Sequence, residues 1–100
     1  MFNRLDAIVL KYQELKEELM KPEILNDFNK LKELSKEQSN LEETVLTYEK
    51  YKTANKHLEE AKMMENDPEL KEIALEDISR LEKEIEDLYH ELEVLLVPKD

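Results

Sequence analysis

Between residues 67 and 96 the apolar positions Ala74, Ile78, Leu81, Ile85, Leu88, Leu92 and Leu95 recur in alternating steps of four and three. That is the heptad spacing of a helix with one buried seam. The residues ahead of the seam mark a helix start. Asp67 can cap the first turn with its carboxylate, Pro68 suits the first helical position because it has no N–H to leave unpaired, and Glu69 favours the positive end of the helix dipole. Burying an apolar side chain contributes about 2 kcal/mol, while ordering one residue's backbone costs about 1 to 2 kcal/mol. One seam therefore cannot hold a helix of this length, and it requires partner helices.

The preceding residues supply two. Phe2, Leu5, Ile8, Val9, Tyr12, Leu15 and Leu19 follow a helical period and predict a first helix over about 2–20. Pro22 disfavours helical geometry at Lys21, so the helix should stop there and a short linker follow. Asn26 or Asp27 can cap a second helix, which carries Phe28, Leu31, Leu34, Leu41, Val45, Tyr48, Tyr51, Leu58 and Ala61 and meets no proline before Pro68. A helix over about 27–65 would be roughly 57 Å long. Its stripe is interrupted by Gln38, Lys52 and Asn55 and shifts phase near Tyr48 to Tyr51, which allows a bend between Thr47 and Thr53. In the turn before the third helix, over about 68–96, Asn66 can adopt the left-handed conformation usually given to glycine. The expected fold is all-α: a long antiparallel, coiled-coil-like hairpin with the first helix packed alongside, three helices in one domain. Pro98-Lys99-Asp100 directly after the last helix reads as a domain boundary, with more protein expected beyond it.

Composition narrows the function more than the fold. One hundred residues suffice for one slender domain, and 41% charged with 6% aromatic residues suits long solvated helices. Glycine is absent, which argues against tight hairpins and phosphate-cradling loops, and the absence of cysteine excludes disulfides and thiolate metal sites. No apolar run approaches the roughly 20 residues of a membrane helix. Arg4, Asp6 and Lys11 break any signal-like segment, so a soluble cytoplasmic protein is expected, with no membrane partner. Of the net charge of −11, residues 67–97 carry −8, from eleven acidic and three basic side chains. A phosphate backbone would be repelled there, leaving Lys30, Lys32, Lys36, Lys50, Lys52 and Lys56 as the candidate basic surface. The plainer reading is a solvated face, since glutamates are interleaved and Glu33 with Lys36 has helical pairing distance.

Candidate chemistry is sparse. A carboxylate-bridged metal site in a bundle uses two Glu-x-x-His pairs. Asp87 and His90 have that interval, but Ala54 stands three before His57, so the second pair is missing. Ser35, Ser39 and Ser79 have no histidine on the same helical face. No catalytic, cofactor-binding or metal-ligating residue is assigned. Met63 and Met64 at the turn either fill gaps or dock a partner, with packing the favoured reading. Tyr48 and Tyr51 belong either to the stripe or to an interface.

The order of landmarks is more specific than any one residue. An amphipathic helix and a long charged helix precede Met63-Met64-Glu65-Asn66-Asp67-Pro68-Glu69-Leu70-Lys71-Glu72-Ile73-Ala74, and the chain closes with Leu95-Leu96-Val97-Pro98-Lys99-Asp100. This resembles the N-terminal domain of the bacterial peptide chain release factor 1 family, with the closing motif favouring that family over its release factor 2 sister. The resemblance implies a piece of a translation termination factor that, at full length, reads UAA and UAG and triggers peptidyl-tRNA hydrolysis on the ribosome. The family's Gly-Gly-Gln loop cannot exist in a chain without glycine. Its Pro-x-Thr reader is also absent, because Pro22, Pro68 and Pro98 are followed two places on by Ile24, Leu70 and Asp100. What the resemblance leaves for this chain is the helical arm that reaches the stalk base and GTPase-associated region of the large subunit, without reading codons or catalysing release. The mRNA stop codon and peptidyl-tRNA would be met by domains outside it. Two competing readings are a free-standing coiled-coil adaptor dimerising through Ile78 to Leu95, and a tRNA-binding arm, which the net charge disfavours.

Overall fold

The computed structural model describes residues 1–98; Lys99 and Asp100 of the closing motif lie outside them. The described residues form four helices and no strand: α1 (Phe2–Glu18), α2 (Pro22–Leu25), α3 (Phe28–Met64) and α4 (Lys71–Leu95). They group into two compact units, Met1–Leu46 and the chain from Thr47 on.

In the first unit, α1 begins on the Met1 carbonyl, which accepts from the Leu5 N–H at 3.1 Å. Leu5 and Leu15 are fully buried, and Ile8, Val9, Tyr12 and Leu19 are half-buried, along the stripe expected for this helix. Its end is set by Pro22. Lys21 is extended, with φ −74° and ψ 136°, as the residue before a proline must be to avoid its ring. The expected linker is a single helical turn instead. Pro22 sits at the first position of α2, where its fixed φ is already helical and its missing N–H costs nothing. Asp27 then caps α3, its Oδ1 accepting from the Lys30 N–H at 3.2 Å. Lys11 Nζ of α1 approaches Glu37 Oε1 of α3 at 3.8 Å.

Helix α3 runs for 37 residues without a break at Thr47 to Thr53. The polar residues in its stripe are accommodated locally. Asn55 Nδ2 donates to the Tyr51 carbonyl at 2.9 Å, and Lys52 Nζ lies 4.3 Å from the centre of the Tyr48 ring, an attraction of cation to π face. With neither glycine nor proline in the segment, nothing interrupts the backbone ladder.

In the second unit, α3 and α4 form a hairpin. Ala54 and Ala61, seven apart on α3, pack with Leu81 and Leu88, seven apart on α4, and Tyr51, Leu58, Ile78 and Ile85 flank them. Methyl side chains on one helix facing leucines on the other let large and small residues interdigitate along the seam. Ile78, Leu81, Ile85 and Leu88 of the α4 seam are thus packed inside the chain.

The turn into α4 differs from expectation in two ways. No described residue has positive φ, so Asn66 is not left-handed. Short i to i+3 bonds reverse the chain instead, from the Asn66 N–H to the Met63 carbonyl at 3.3 Å and from the Asp67 N–H to the Met64 carbonyl at 3.0 Å. Helix α4 also begins at Lys71, not at Pro68. Asp67 still performs a capping bond, with Oδ1 accepting from the Glu69 N–H at 3.0 Å, but the turn it caps is a tight one, closed by the Leu70 N–H on the Asp67 carbonyl at 3.0 Å.

Candidate interaction surfaces

Residues with chemical potential are dispersed over exposed helix faces. Ser35, Ser39, Ser79 and His57 are all exposed. His90 is turned toward glutamates and not toward Asp87: its Nδ1 lies 3.0 Å from Glu93 Oε1 and its Nε2 3.9 Å from Glu86 Oε1. No group of three or more His, Cys, Asp or Glu side chains that could hold a metal occurs among the described residues. Every buried side-chain nitrogen and oxygen there has a hydrogen-bond partner, so no orphaned polar group points to a missing ligand.

Lys30, Lys32, Lys36, Lys50, Lys52 and Lys56 are exposed, in accord with a solvated surface. Successive residues turn by about 100°, which places Lys30 and Lys36 on different faces of α3. The Glu33 and Lys36 spacing closes no ion pair among the described residues. The pairs that form are Lys62 with Glu59, Arg80 with Asp77 and Glu84, and Lys11 with Glu37, all at 3.6 to 3.8 Å on exposed side chains. Such pairs contribute little to stability.

Apolar exposure runs along the whole chain, with Leu10, Ile73, Leu75, Val94 and Val97 among the exposed side chains. Around α2 it includes Met20 (74%), Leu25 (53%) and Phe28 (75%). At the end of α3 Met63 is 75% exposed, so it does not fill a gap between helices, contrary to the packing expected of it. Tyr48 is buried and belongs to the packed stripe. Tyr51 is half-buried and meets the Tyr89 ring with centroids 6.5 Å apart and planes at 48°. These two tyrosines, with Leu58, Glu82, Ile85 and Glu86, line a shallow groove of about 330 Å³ in the second unit. A smaller depression of about 250 Å³ on the first unit is lined by Lys11, Glu14, Glu17, Glu18 and Lys21, a mixture of charges that selects no ligand.

The model of the PCRF domain matches residues 8–100. The chain belongs to the PCRF domain family. This PCRF domain is similar over its whole length to curated proteins named Peptide chain release factor 1. It is 48% identical to that of Geobacillus sp. (strain WCH70), 48% to that of Geobacillus kaustophilus and 46% to that of Bacillus subtilis (strain 168). In each case the PCRF domain chain spans 29% of the relative's length. No solved structure gives a significant match.

Sequence reasoning missed Ala54, Thr44 and Thr47, which are 2%, 7% and 5% exposed. Ala54 was legible, standing seven before Ala61 on the same seam. The two threonines carry no such signal, since a hydroxyl can satisfy itself on the helix backbone and be buried without a charged or apolar signature.

Proposed function

We propose that this chain is the N-terminal arm of a longer peptide chain release factor, acting in the cytoplasm. It docks at the stalk base and GTPase-associated region of the large ribosomal subunit and orients the rest of the factor. Recognition of UAA and UAG and hydrolysis of peptidyl-tRNA belong to segments outside it. The observation that carries this reading is the similarity of 46 to 48% across the whole chain to release factors of which it spans 29%. The absence of glycine supports the division of labour, because a Gly-Gly-Gln loop cannot be built from these residues.

Docking is assigned to the first two long helices, where lysines are frequent, and not to α4 with its excess of carboxylates. Two measurements test the reading. Added to ribosomes holding a peptidyl-tRNA at a stop codon, the isolated chain should bind without releasing peptide; release above background would refute the arm. Charge reversal at Lys30 and Lys36 should weaken ribosome binding more than reversal at Glu82 and Glu86, and the opposite ranking would refute the assignment to these helices.

A further inference from the structure

The groove in the second unit is lined at helical spacings on both of its sides. Tyr51 and Leu58 stand seven apart on α3, and Glu82, Ile85, Glu86 and Tyr89 occupy i, i+3, i+4 and i+7 on α4. Each helix thus offers a strip two turns long, about 10 Å, the register in which an amphipathic helix is received in a groove. Tyr51, Leu58, Ile85 and Tyr89 are half-buried, so they remain accessible at its floor and walls.

Charge selects the occupant. Glu82 and Glu86 are the charged side chains lining the groove, and both are exposed. Glu82 has no ion pair among the described residues, and Glu86 has only the 3.9 Å approach of His90. The tilted tyrosine pair places aromatic faces beside these carboxylates. A guanidinium satisfies both kinds of group at once, pairing with a carboxylate while its plane lies against a ring. A second copy of this chain would bring the same carboxylates and another −11 of charge, and a nucleic acid would bring phosphates; both are repelled.

We propose that this groove seats an arginine-bearing amphipathic helix of a protein partner. Its apolar residues lie against Leu58 and Ile85, and its cations lie between Glu82, Glu86 and the tyrosine rings. The inference does not rest on the ribosome-docking reading, because it is argued from the groove's own lining and is tested on a peptide without ribosomes.

The test uses a labelled helix-forming peptide of about 14 residues, roughly four turns, with leucines three and four apart and arginines flanking them. Its binding to the whole chain is followed by fluorescence anisotropy, and the site by amide shifts in the unaltered chain. The peptide should bind, should shift the amides of Leu58, Ile85, Glu86 and Tyr89, and should bind less tightly as salt is raised. The double variant E82K/E86K should weaken binding by about tenfold or more. The control E14K/E17K makes the same change in net charge in the first unit and should weaken it by less than about twofold. Equal losses in the two variants would reduce the effect to bulk charge and overturn the proposal. So would equal binding of a peptide with glutamates replacing the arginines, amide shifts confined to other residues, or no binding. A mass that doubles with concentration in the unaltered chain and not in E82K/E86K would give the groove to a second copy and overturn it as well.

Discussion

Replacing Leu81 by alanine strikes the packed cluster of the seam. Leu81 is 3% exposed and packs in the cluster with Ala54, Ala61 and Leu88. Removing three carbons loses about 2 kcal/mol of transfer free energy. A further cost follows from the cavity, which is set by how far the neighbours can move in. Two of those neighbours are alanines, whose single methyl groups have no rotamer that reaches across, and Ile78 and Ile85 are held at the flanks of the seam. The expected loss is therefore about 3 to 4 kcal/mol, inside the range known for buried leucines. The control is Leu75→Ala on the same helix, with the same chemical change at a side chain that is 46% exposed. Its cost should be about 1 kcal/mol or less. Urea titration followed by circular dichroism at the helical band reads both, and Leu81→Ala should lower the midpoint by about 1 to 3 M. Equal midpoints for the two variants would refute the placement of Leu81 in an internal seam.

Two smaller effects follow from the same structure. Asp27→Ala removes the acceptor of the Lys30 N–H and should cost about 1 kcal/mol, with faster amide exchange at Lys30 and in the first turn of α3, while Asp27→Asn should cost less; equal stability of all three would exclude the cap. Added salt should raise the thermal midpoint, because self-repulsion from −11 charges outweighs a few exposed ion pairs; a fall in midpoint would show the pairs to dominate.

The parts of the fold that were legible in the sequence are those governed by period and by capping chemistry. Ala74, Leu81 and Leu88 recur every seventh residue, and all three are buried. Asp27 precedes an apolar stripe, and it caps. What escaped prediction depends on local backbone geometry that residue types only weakly specify. Pro22 reads as a stop, yet the ring that ends α1 by holding Lys21 extended also begins α2 with its fixed φ. Asn66 is the residue suited to glycine's role, but consecutive i to i+3 bonds turn the chain without any left-handed residue among those described. Helix α3 continues through Asn55 and Lys52, which find partners on their own helix, a local solution that a seam pattern counts only as an interruption. The groove was half visible. Tyr51 fits either packing or an interface by its position in the stripe, but its meeting with Tyr89 and the two glutamates depends on the register of α3 against α4.

The central proposal is that this chain is one arm of a larger termination factor, and reading the source gene beyond the codon for Asp100 tests it most directly. An open frame encoding a Pro-x-Thr segment and then Gly-Gly-Gln is the predicted result. A stop codon immediately after Asp100 would contradict it and leave a helical protein whose function lies in its own surfaces alone.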